Sequence, residues 1–155
     1  MAFKRCLMIH AVLALAALPV LAKPNFSGDW KLNVSKSSFG QMPAPNSMTN
    51  TNTHEDPKLT SHTRQSGEQG DFEFESTYTT DGKECSNDML GNPVKSILKW
   101  DGDTLLIDAK GKFGDNDFTM QDKWTLSSDG KTLTIVRVFK SSMGEGEQKL
   151  VFEKQ

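Results

Sequence analysis

The sequence predicts an all-β protein, an antiparallel up-and-down β-barrel of about 8–10 strands. Roughly ten short segments alternate apolar and polar residues, which is the two-residue period of a half-buried strand. Asp-Gly pairs, which favour tight hairpin turns, separate such segments at three places. A meander of single-sided strands must close or stack to protect its edges, and closure suits these short connections. A two-sheet sandwich is the alternative.

The first 22 residues have the composition of a secretory signal peptide. Lys4 and Arg5 precede an uncharged apolar run over 7–21, and Val20-Leu21-Ala22 provides a small-residue cleavage site. Residues 23–155 then form a single β-barrel domain with no further membrane span, and the expected location is secreted or periplasmic. An uncleaved membrane anchor is the alternative.

The net charge and the cysteine content argue against nucleic-acid binding and against an internal disulfide in the mature chain. Without Lys4 and Arg5, the 18 basic residues fall to 16 against 20 acidic ones, a net charge of −4. Nucleic acid is therefore not an expected partner, because phosphate binding needs a concentrated basic face. Of the two cysteines only Cys85 lies in the mature chain, so an intramolecular disulfide is impossible.

The mature chain opens with a turn that leads into a strand. In the segment 25–34, alternation places Trp30, Leu32 and Val34 on one face. The following segment, 35–46, contains one glycine and two prolines, which forbid a long helix. We expect it to be an ordered loop that crosses one end of the fold.

A polar hairpin is predicted from 47–54 and 58–65, which flank Glu55-Asp56-Pro57. Its register is weakly specified because neither face is clearly apolar. His54 and His62 lie in it, without a third ligand at the spacing of a zinc site. The expectation is a solvated hairpin with no metal.

The next two hairpins are predicted around Asp81-Gly82 and Asp101-Gly102. Two-residue loops would place Tyr78 opposite Cys85, Phe74 opposite Met89 and Leu98 opposite Leu105. Cys85 would then point inward as an inert buried thiol. A nucleophile and a dimer-forming thiol are the alternatives for it.

The last third of the chain contains the best-defined hairpin, 118–139, folded about Asp129-Gly130 after a loop over 111–117. A type I′ turn would place Trp124 opposite Ile135 and Asp122 opposite Arg137, so that an acid meets a base on the inner face. The final strand places Leu150 and Phe152 inward.

Three stretches resemble the calycins, which comprise the lipocalins and the fatty-acid-binding proteins. They are Phe26-Ser27-Gly28-Asp29-Trp30, Lys99-Trp100-Asp101-Gly102 and Val151-Phe152-Glu153-Lys154. The chain as a whole resembles most the uncharacterised secreted lipocalin-like bacterial proteins. The resemblance implies the barrel fold, in which Gly28 and Trp30 are structural, and it implies no particular chemistry.

Two departures from the fatty-acid-binding proteins matter. The segment 35–46 is too short and too rich in proline for their helix-turn-helix lid. Their Arg-x-Tyr pair, which holds a ligand carboxylate, is replaced at the matching positions by Leu150 and Phe152. The family's carboxylate site therefore does not carry over, and Arg137 is the nearest substitute.

Arg137 has three interpretations. Its guanidinium could lie over Trp30, as a late-strand arginine does in lipocalin-like barrels. It could pair with Asp122 across the ladder, which is compatible with the first arrangement. It could also use its remaining donors to bind a ligand acid.

The predicted function is that of a non-enzymatic binding protein for a small hydrophobic or amphiphilic ligand in the barrel lumen. The expected ligand-binding residues are Arg137, Asp122, Trp124, Tyr78, Phe74 and Met120. The alternative is a protein-interaction module, an inhibitor or adhesion-type barrel whose interior is filled by aromatic side chains. An enzyme ranks third because the sequence carries no catalytic motif, and no cofactor is expected. Outward-facing apolar residues could form a homodimer contact: Ile97, Leu106, Val136 and Val138.

Overall fold

The computed structural model describes residues 22–68, 70–142 and 144–155. The predicted signal peptide, apart from Ala22, lies outside the described residues. The strands are β1 Gly28–Leu32, β2 Ser47–Glu55, β3 Lys58–Gly67, β4 Gly70–Thr79, β5 Glu84–Met89, β6 Asn92–Asp101, β7 Thr104–Phe113, β8 Asn116–Leu126, β9 Thr132–Ser141 and β10 Gly144–Lys154.

All ten strands belong to one antiparallel sheet, in the order β4-β3-β2-β1-β10-β9-β8-β7-β6-β5. Chain neighbours pair throughout except at β4 and β5, and β1 also pairs with β10. The predicted up-and-down barrel is therefore confirmed. Within the described segments no helix is long and apolar enough to cross a membrane.

One end of the barrel is closed by aromatic side chains. Phe26, just before β1, is fully buried and stacks on Trp100 at 5.8 Å between ring centroids. Its ring also meets Trp124 edge-on at 5.6 Å. The indole Nε1 of Trp30 donates to the Phe26 carbonyl oxygen at 2.9 Å. Phe26 thus acts as a plug held by a hydrogen bond as well as by packing.

The β8–β9 hairpin has the register that the sequence predicts. Leu126 lies opposite Leu133, and Asp122 lies opposite Arg137. The turn type is different, because Gly130 has a positive φ (68°) and Asp129 does not. A type I′ turn needs positive φ at both central residues, so that prediction is wrong while the register holds.

The β6–β7 hairpin is displaced from its predicted register. Gly102 and Asp103 form the turn, so Asp101 pairs with Thr104 and Leu98 pairs with Ile107 rather than with Leu105. The displacement is two residues, an even number, so every side chain keeps its predicted face.

The strands β7 and β8 are longer than predicted. The interval 111–117, expected to be a loop, continues both strands and narrows to a turn at Gly114-Asp115. Phe113 pairs with Asn116 across that turn. The ladder therefore reaches the rim of the barrel.

The strands β4 and β5 form no backbone ladder in the described sheet, so the predicted pairing of Tyr78 with Cys85 and of Phe74 with Met89 is wrong. The turn between them bonds elsewhere, because Thr80 N–H donates to the Pro57 carbonyl and Gly82 N–H to the Leu98 carbonyl, each at 2.8 Å. This turn is thereby tied to the β2–β3 turn and to β6.

The Asn87 side chain bridges the seam between β4 and β5. The Asn87 carboxamide oxygen accepts from Thr77 N–H at 2.7 Å, and its nitrogen donates to the Thr77 carbonyl at 3.1 Å. The carboxamide carries one acceptor and one donor as a peptide group does, so it replaces one rung of the missing ladder.

The chain between β1 and β2 crosses the other end of the barrel. The strand β1 ends at Leu32, and Val34 lies in a turn of 3₁₀ helix, Val34–Lys36, rather than on the inner face as predicted. The Asn33 side chain caps that turn by accepting from Lys36 N–H. Further on, Ser38 forms an isolated bridge with Lys149 of β10, which anchors the loop.

Candidate ligand-binding site

The barrel encloses a cavity of about 530 Å³ above the Phe26 plug. Strands from all sides of the barrel and the β1–β2 loop line it. The lining residues are Met42, Met48, Asn50, Ser61, Thr63, Gln65, Phe72, Phe74, Ser76, Tyr78, Met89, Leu90, Asn92, Ile107, Phe113, Phe118, Met120, Asp122, Trp124, Ile135, Arg137, Phe139, Gln148 and Leu150. Most of these side chains are apolar, as in the binding sites of small lipophilic molecules.

The wall formed by β7, β8 and β9 is mainly apolar. Ile107 and Ile135 are buried deep in it. Nearer the rim, Phe118 stacks on Phe113 at 4.7 Å and on Phe139 at 5.7 Å between ring centroids. Alternation along these strands brings every second side chain to this wall.

The wall formed by β2 and β3 is mainly polar. Asn50, Ser61 and Thr63 line it, and Ser76 of β4 pairs with Ser61; each of the four is at most 6% exposed. The other residues of β4 that line the cavity are aromatic: Phe72, Phe74 and Tyr78. The Thr63 hydroxyl donates to the Asn50 carboxamide oxygen at 3.0 Å. The sequence indicated no clearly apolar face in this hairpin, and the structure shows that the polar residues do face the interior.

Asn52 lies on the same inner face of β2, between Asn50 and His54 in the alternating pattern. It is 3% exposed, and neither its carboxamide oxygen nor its nitrogen has a partner among the described residues. A buried amide normally has both groups bonded to protein or to water. Hydrogen-bonding capacity is therefore unused on this side of the barrel.

Arg137 and Asp122 meet in the cavity wall. The guanidinium Nε and Nη2 donate to the two carboxylate oxygens at 2.8 and 2.7 Å. The Trp124 indole also approaches Asp122, at 3.4 Å. Burial alone would lower the pKa of Arg137, but the charge and hydrogen bonds of Asp122 outweigh burial and the net shift is upward. The guanidinium of Arg137 is therefore stabilised in its charged form by Asp122.

All six residues that the sequence predicted for ligand binding line this one cavity: Arg137, Asp122, Trp124, Tyr78, Phe74 and Met120. The structure thus brings them together, while their role in binding stays a prediction. Sequence reasoning missed Asn50, Ser61 and Thr63. Their signal was the alternation of small polar residues in the hairpin, which was interpreted as solvent exposure.

The cation over Trp30 is not the arginine that the family resemblance suggested. Lys154 Nζ lies 5.4 Å from the Trp30 ring centroid, whereas Arg137 is engaged with Asp122. Trp30 is 1% exposed, and Gly28 precedes it at a φ of 134°. The two residues therefore lie in the closed end, away from the cavity lining.

His54 is buried rather than solvated, which corrects the sequence-based expectation. It is 2% exposed, and its Nδ1 accepts from Phe26 N–H at 3.2 Å. Nδ1 must then be unprotonated, which leaves the proton on Nε2, 3.6 Å from an Asp56 carboxylate oxygen. Burial lowers the pKa of His54. The His54 side chain thus packs against Phe26 in the closed end of the barrel.

His62, by contrast, faces outward as predicted. Its Nε2 lies 2.9 Å from Glu73, which also pairs with Arg64 at 3.1 Å. No three His, Cys, Asp or Glu side chains in the described part of the chain are grouped as a metal site would require.

Cys85 is partly buried against the main hydrophobic core. Its thiol donates to the Ser96 carbonyl at 3.3 Å, within the neighbouring strand. The inward direction predicted for Cys85 holds, although it does not face Tyr78 across a ladder.

The mouth of the cavity lies beneath the β1–β2 loop. Phe39 and Met42 of this loop, together with Arg137 and Gln148, line a second recess of about 240 Å³ there. The Gln148 amide contacts the Met42 sulfur at 3.3 Å. The loop occupies the place of a cover over the mouth, without the helices of a fatty-acid-binding-protein lid.

The fold is a ten-stranded, nearly closed antiparallel barrel that is calycin-like in architecture. Among solved structures it is similar to a zebrafish ileal bile acid-binding protein complexed with cholic acid, at 14% identity and a TM-score of 0.59, covering 84% of this chain and 98% of that one. It is also similar to secretory abundant heat soluble protein 4 from Ramazzottius varieornatus, at 15% identity and a TM-score of 0.60, covering 89% and 99%.

A third similar structure is a Schistosoma mansoni fatty acid binding protein in complex with arachidonic acid, at 16% identity and a TM-score of 0.51, covering 84% and 96%. The chain matches no protein-family model, and comparison with curated protein sequences gives no match. At these identities the similarity establishes the fold alone.

Proposed function

We propose that the protein is a secreted or periplasmic, non-enzymatic carrier of a small hydrophobic or amphiphilic molecule. The observation that carries the proposal is the cavity of about 530 Å³, since ligand sites typically measure roughly 300–1,000 Å³. Two of the similar barrels were solved with cholic acid and with arachidonic acid, which supports a lipophilic ligand.

The distribution of aromatic residues favours the carrier over an interaction module with a filled interior. Trp30, Phe152 and Phe26 concentrate in the closed end, where all three are at most 1% exposed. Phe72, Phe74, Phe118 and Phe139 instead line the cavity without filling it. The interior therefore retains room for a guest molecule.

Native mass spectrometry of protein purified gently from its producing compartment tests the proposal, together with titration of the delipidated protein with an uncharged, environment-sensitive naphthalene dye. The carrier predicts a reproducible adduct of lipid or pigment mass and saturable dye binding. Met120→Trp, which fills the lumen, should weaken dye binding, whereas Gln121→Trp on the outer face of the same strand should not. Bare protein with no saturable dye binding would favour the interaction module.

Secretion follows from the predicted signal peptide, and N-terminal sequencing of the exported protein is expected to begin at Lys23. Homodimerisation through Ile97, Leu106, Val136 and Val138 is a further part of the proposal. Ile97 is 37% exposed on the outer face. Sedimentation velocity of the wild type and of Ile97→Glu would show whether these residues associate.

A further inference from the structure

We infer that the cavity selects uncharged amphiphiles whose hydrogen-bonding groups face one side, and that it discriminates against carboxylates. The inference rests on the proposed carrier function and specifies its ligand class. Arg137 alone would suggest a preference for ligands with a carboxylate, and the inferred preference is the opposite.

The first argument is the charge balance of the cavity lining. Among the described residues that line it, Arg137 and Asp122 are the two that carry charge, and they are bound to each other through two hydrogen bonds. A ligand carboxylate brought to the guanidinium would lie beside the Asp122 carboxylate. Like charges in a desolvated site disfavour ionisation of both groups, so one of them would have to take up a proton or leave.

The second argument is that Asp122 cannot easily release Arg137. Its side chain is 2% exposed, and both of its oxygens accept hydrogen bonds from the guanidinium. A carboxylate ligand that displaced Asp122 would leave a buried charge without its partner, which is strongly unfavourable. Two of the five guanidinium N–H donors are therefore bonded to Asp122, and a ligand acid that approached the others would lie close to the Asp122 carboxylate.

The third argument is the mainly polar wall formed by β2 and β3. Asn50, Thr63 and Ser61 supply neutral donors and acceptors to the cavity. Such groups bind hydroxyl, carbonyl and amide groups of a ligand without requiring charge. Apart from the Arg137–Asp122 pair, the opposite wall is mainly apolar, with Ile107 and Ile135, so a well-matched ligand is polar on one side.

The test uses three molecules with the same fourteen-carbon chain: myristate, myristamide and tetradecane. Displacement of the uncharged dye near neutral pH compares a carboxylate, its nearly isosteric uncharged amide and a plain hydrocarbon. We expect myristamide to bind at least about ten times more tightly than myristate, a difference in binding free energy of ~1.4 kcal/mol or more. We also expect myristamide to bind more tightly than tetradecane.

Variants test whether the preference for an uncharged ligand comes from the Arg137–Asp122 pair and from the polar side of the cavity. Asp122→Asn removes the competing charge and should shift the preference towards myristate. Asn50→Leu should weaken myristamide binding and leave tetradecane binding unchanged, while Thr49→Leu on the outer face of β2 should change neither. If Asp122→Asn fails to fold, the wild-type comparison and the Asn50→Leu variant still decide the question.

The outcomes separate the two proposals. Myristate binding as tightly as myristamide to the wild type overturns this inference and leaves the carrier function in place. Failure of the dye and of all three molecules to bind overturns the carrier function and the inference with it.

Discussion

Arg137 and Asp122 form a bidentate ion pair between β9 and β8, with nitrogen–oxygen distances of 2.8 and 2.7 Å, inside the barrel wall. The two residues are directly opposite each other in the ladder. Backbone register and side-chain chemistry therefore agree at this point. The pair lies in the cavity wall, and Arg137 also lines the recess beneath the β1–β2 loop.

Breaking this pair should destabilise the fold non-additively. Removal of one partner of a fully buried pair costs about 3–5 kcal/mol, and less is expected here because the Arg137 side chain is 23% exposed. Asp122→Asn and Arg137→Leu should each lower the free energy of unfolding in urea. The double variant should lose clearly less than the sum of the two, because the second change removes the orphaned charge.

The outer-face pair between Lys95 and Glu84, at 2.7 Å, is the matched control. Because both side chains are solvated, replacing either should have little effect on the unfolding curve. Strictly additive losses at Asp122 and Arg137 would show that their interaction contributes nothing to stability.

The Cys85 thiol should be protected in the native protein. It is packed against the core and donates to the Ser96 carbonyl, so a bulky thiol reagent should react slowly without denaturant and rapidly in it. The variant Cys85→Ser/Ser86→Cys moves the thiol by one residue to the exposed face of β5 and should react rapidly in both conditions. Equal native rates for the two proteins would contradict the assigned face of the strand.

Stability should decrease as pH falls below the ordinary His54 pKa of 6.5. Burial lowers the pKa of His54 in the folded state, so the unfolded chain takes up the proton at a higher pH than the folded chain does. The free energy of unfolding therefore falls as the pH decreases from 6.5 to the lower pKa of the folded state. Protonation at Nδ1 would also break the hydrogen bond from Phe26. Urea denaturation at a series of pH values measures the slope.

Two variants isolate this effect. His54→Gln should flatten the dependence in that window because glutamine does not titrate. Asp56→Asn should steepen it, because the Asp56 carboxylate favours the protonated imidazole. The pKa of Asp56 is itself lowered, chiefly by the Thr80 hydroxyl, so its own contribution to stability is lost only at more acidic pH. An unchanged slope in His54→Gln would rule out His54 as the source.

The Asn87 side chain should hold the β4–β5 seam closed. Asn87→Ala removes its two hydrogen bonds to Thr77 and should lower the free energy of unfolding by about 1 kcal/mol. Amide hydrogen exchange at Thr77 should accelerate. Asn87→Asp keeps the acceptor for Thr77 N–H and should preserve more of that protection, while Ser86→Ala on the outer face serves as control. Unaltered exchange in Asn87→Ala would mean that the seam is held by other contacts.

The sequence by itself determined the inner face of the strands that have an apolar face, and the pairing of the last hairpin. A period of two leaves one choice of inner face wherever that face is apolar, as in β8 and β9. The pairing of Asp122 with Arg137 followed from a local turn, so no distant contact was needed to predict it. The same logic placed all six predicted ligand-binding residues around one cavity.

Tertiary structure decided what local patterning could not. The Asp81-Gly82 turn starts no ladder, because Thr80 N–H, which the predicted hairpin would pair with Lys83, donates to the carbonyl of Pro57 instead. Gly82 N–H donates to the carbonyl of Leu98, which is also distant in sequence. His54 and the polar side of the cavity were misjudged because small polar residues alternate in the same way on a solvated face and on an inner one. The size of the cavity depends on how far ten strands curve and on where the aromatic rings gather, and both are properties of the closed barrel rather than of any segment.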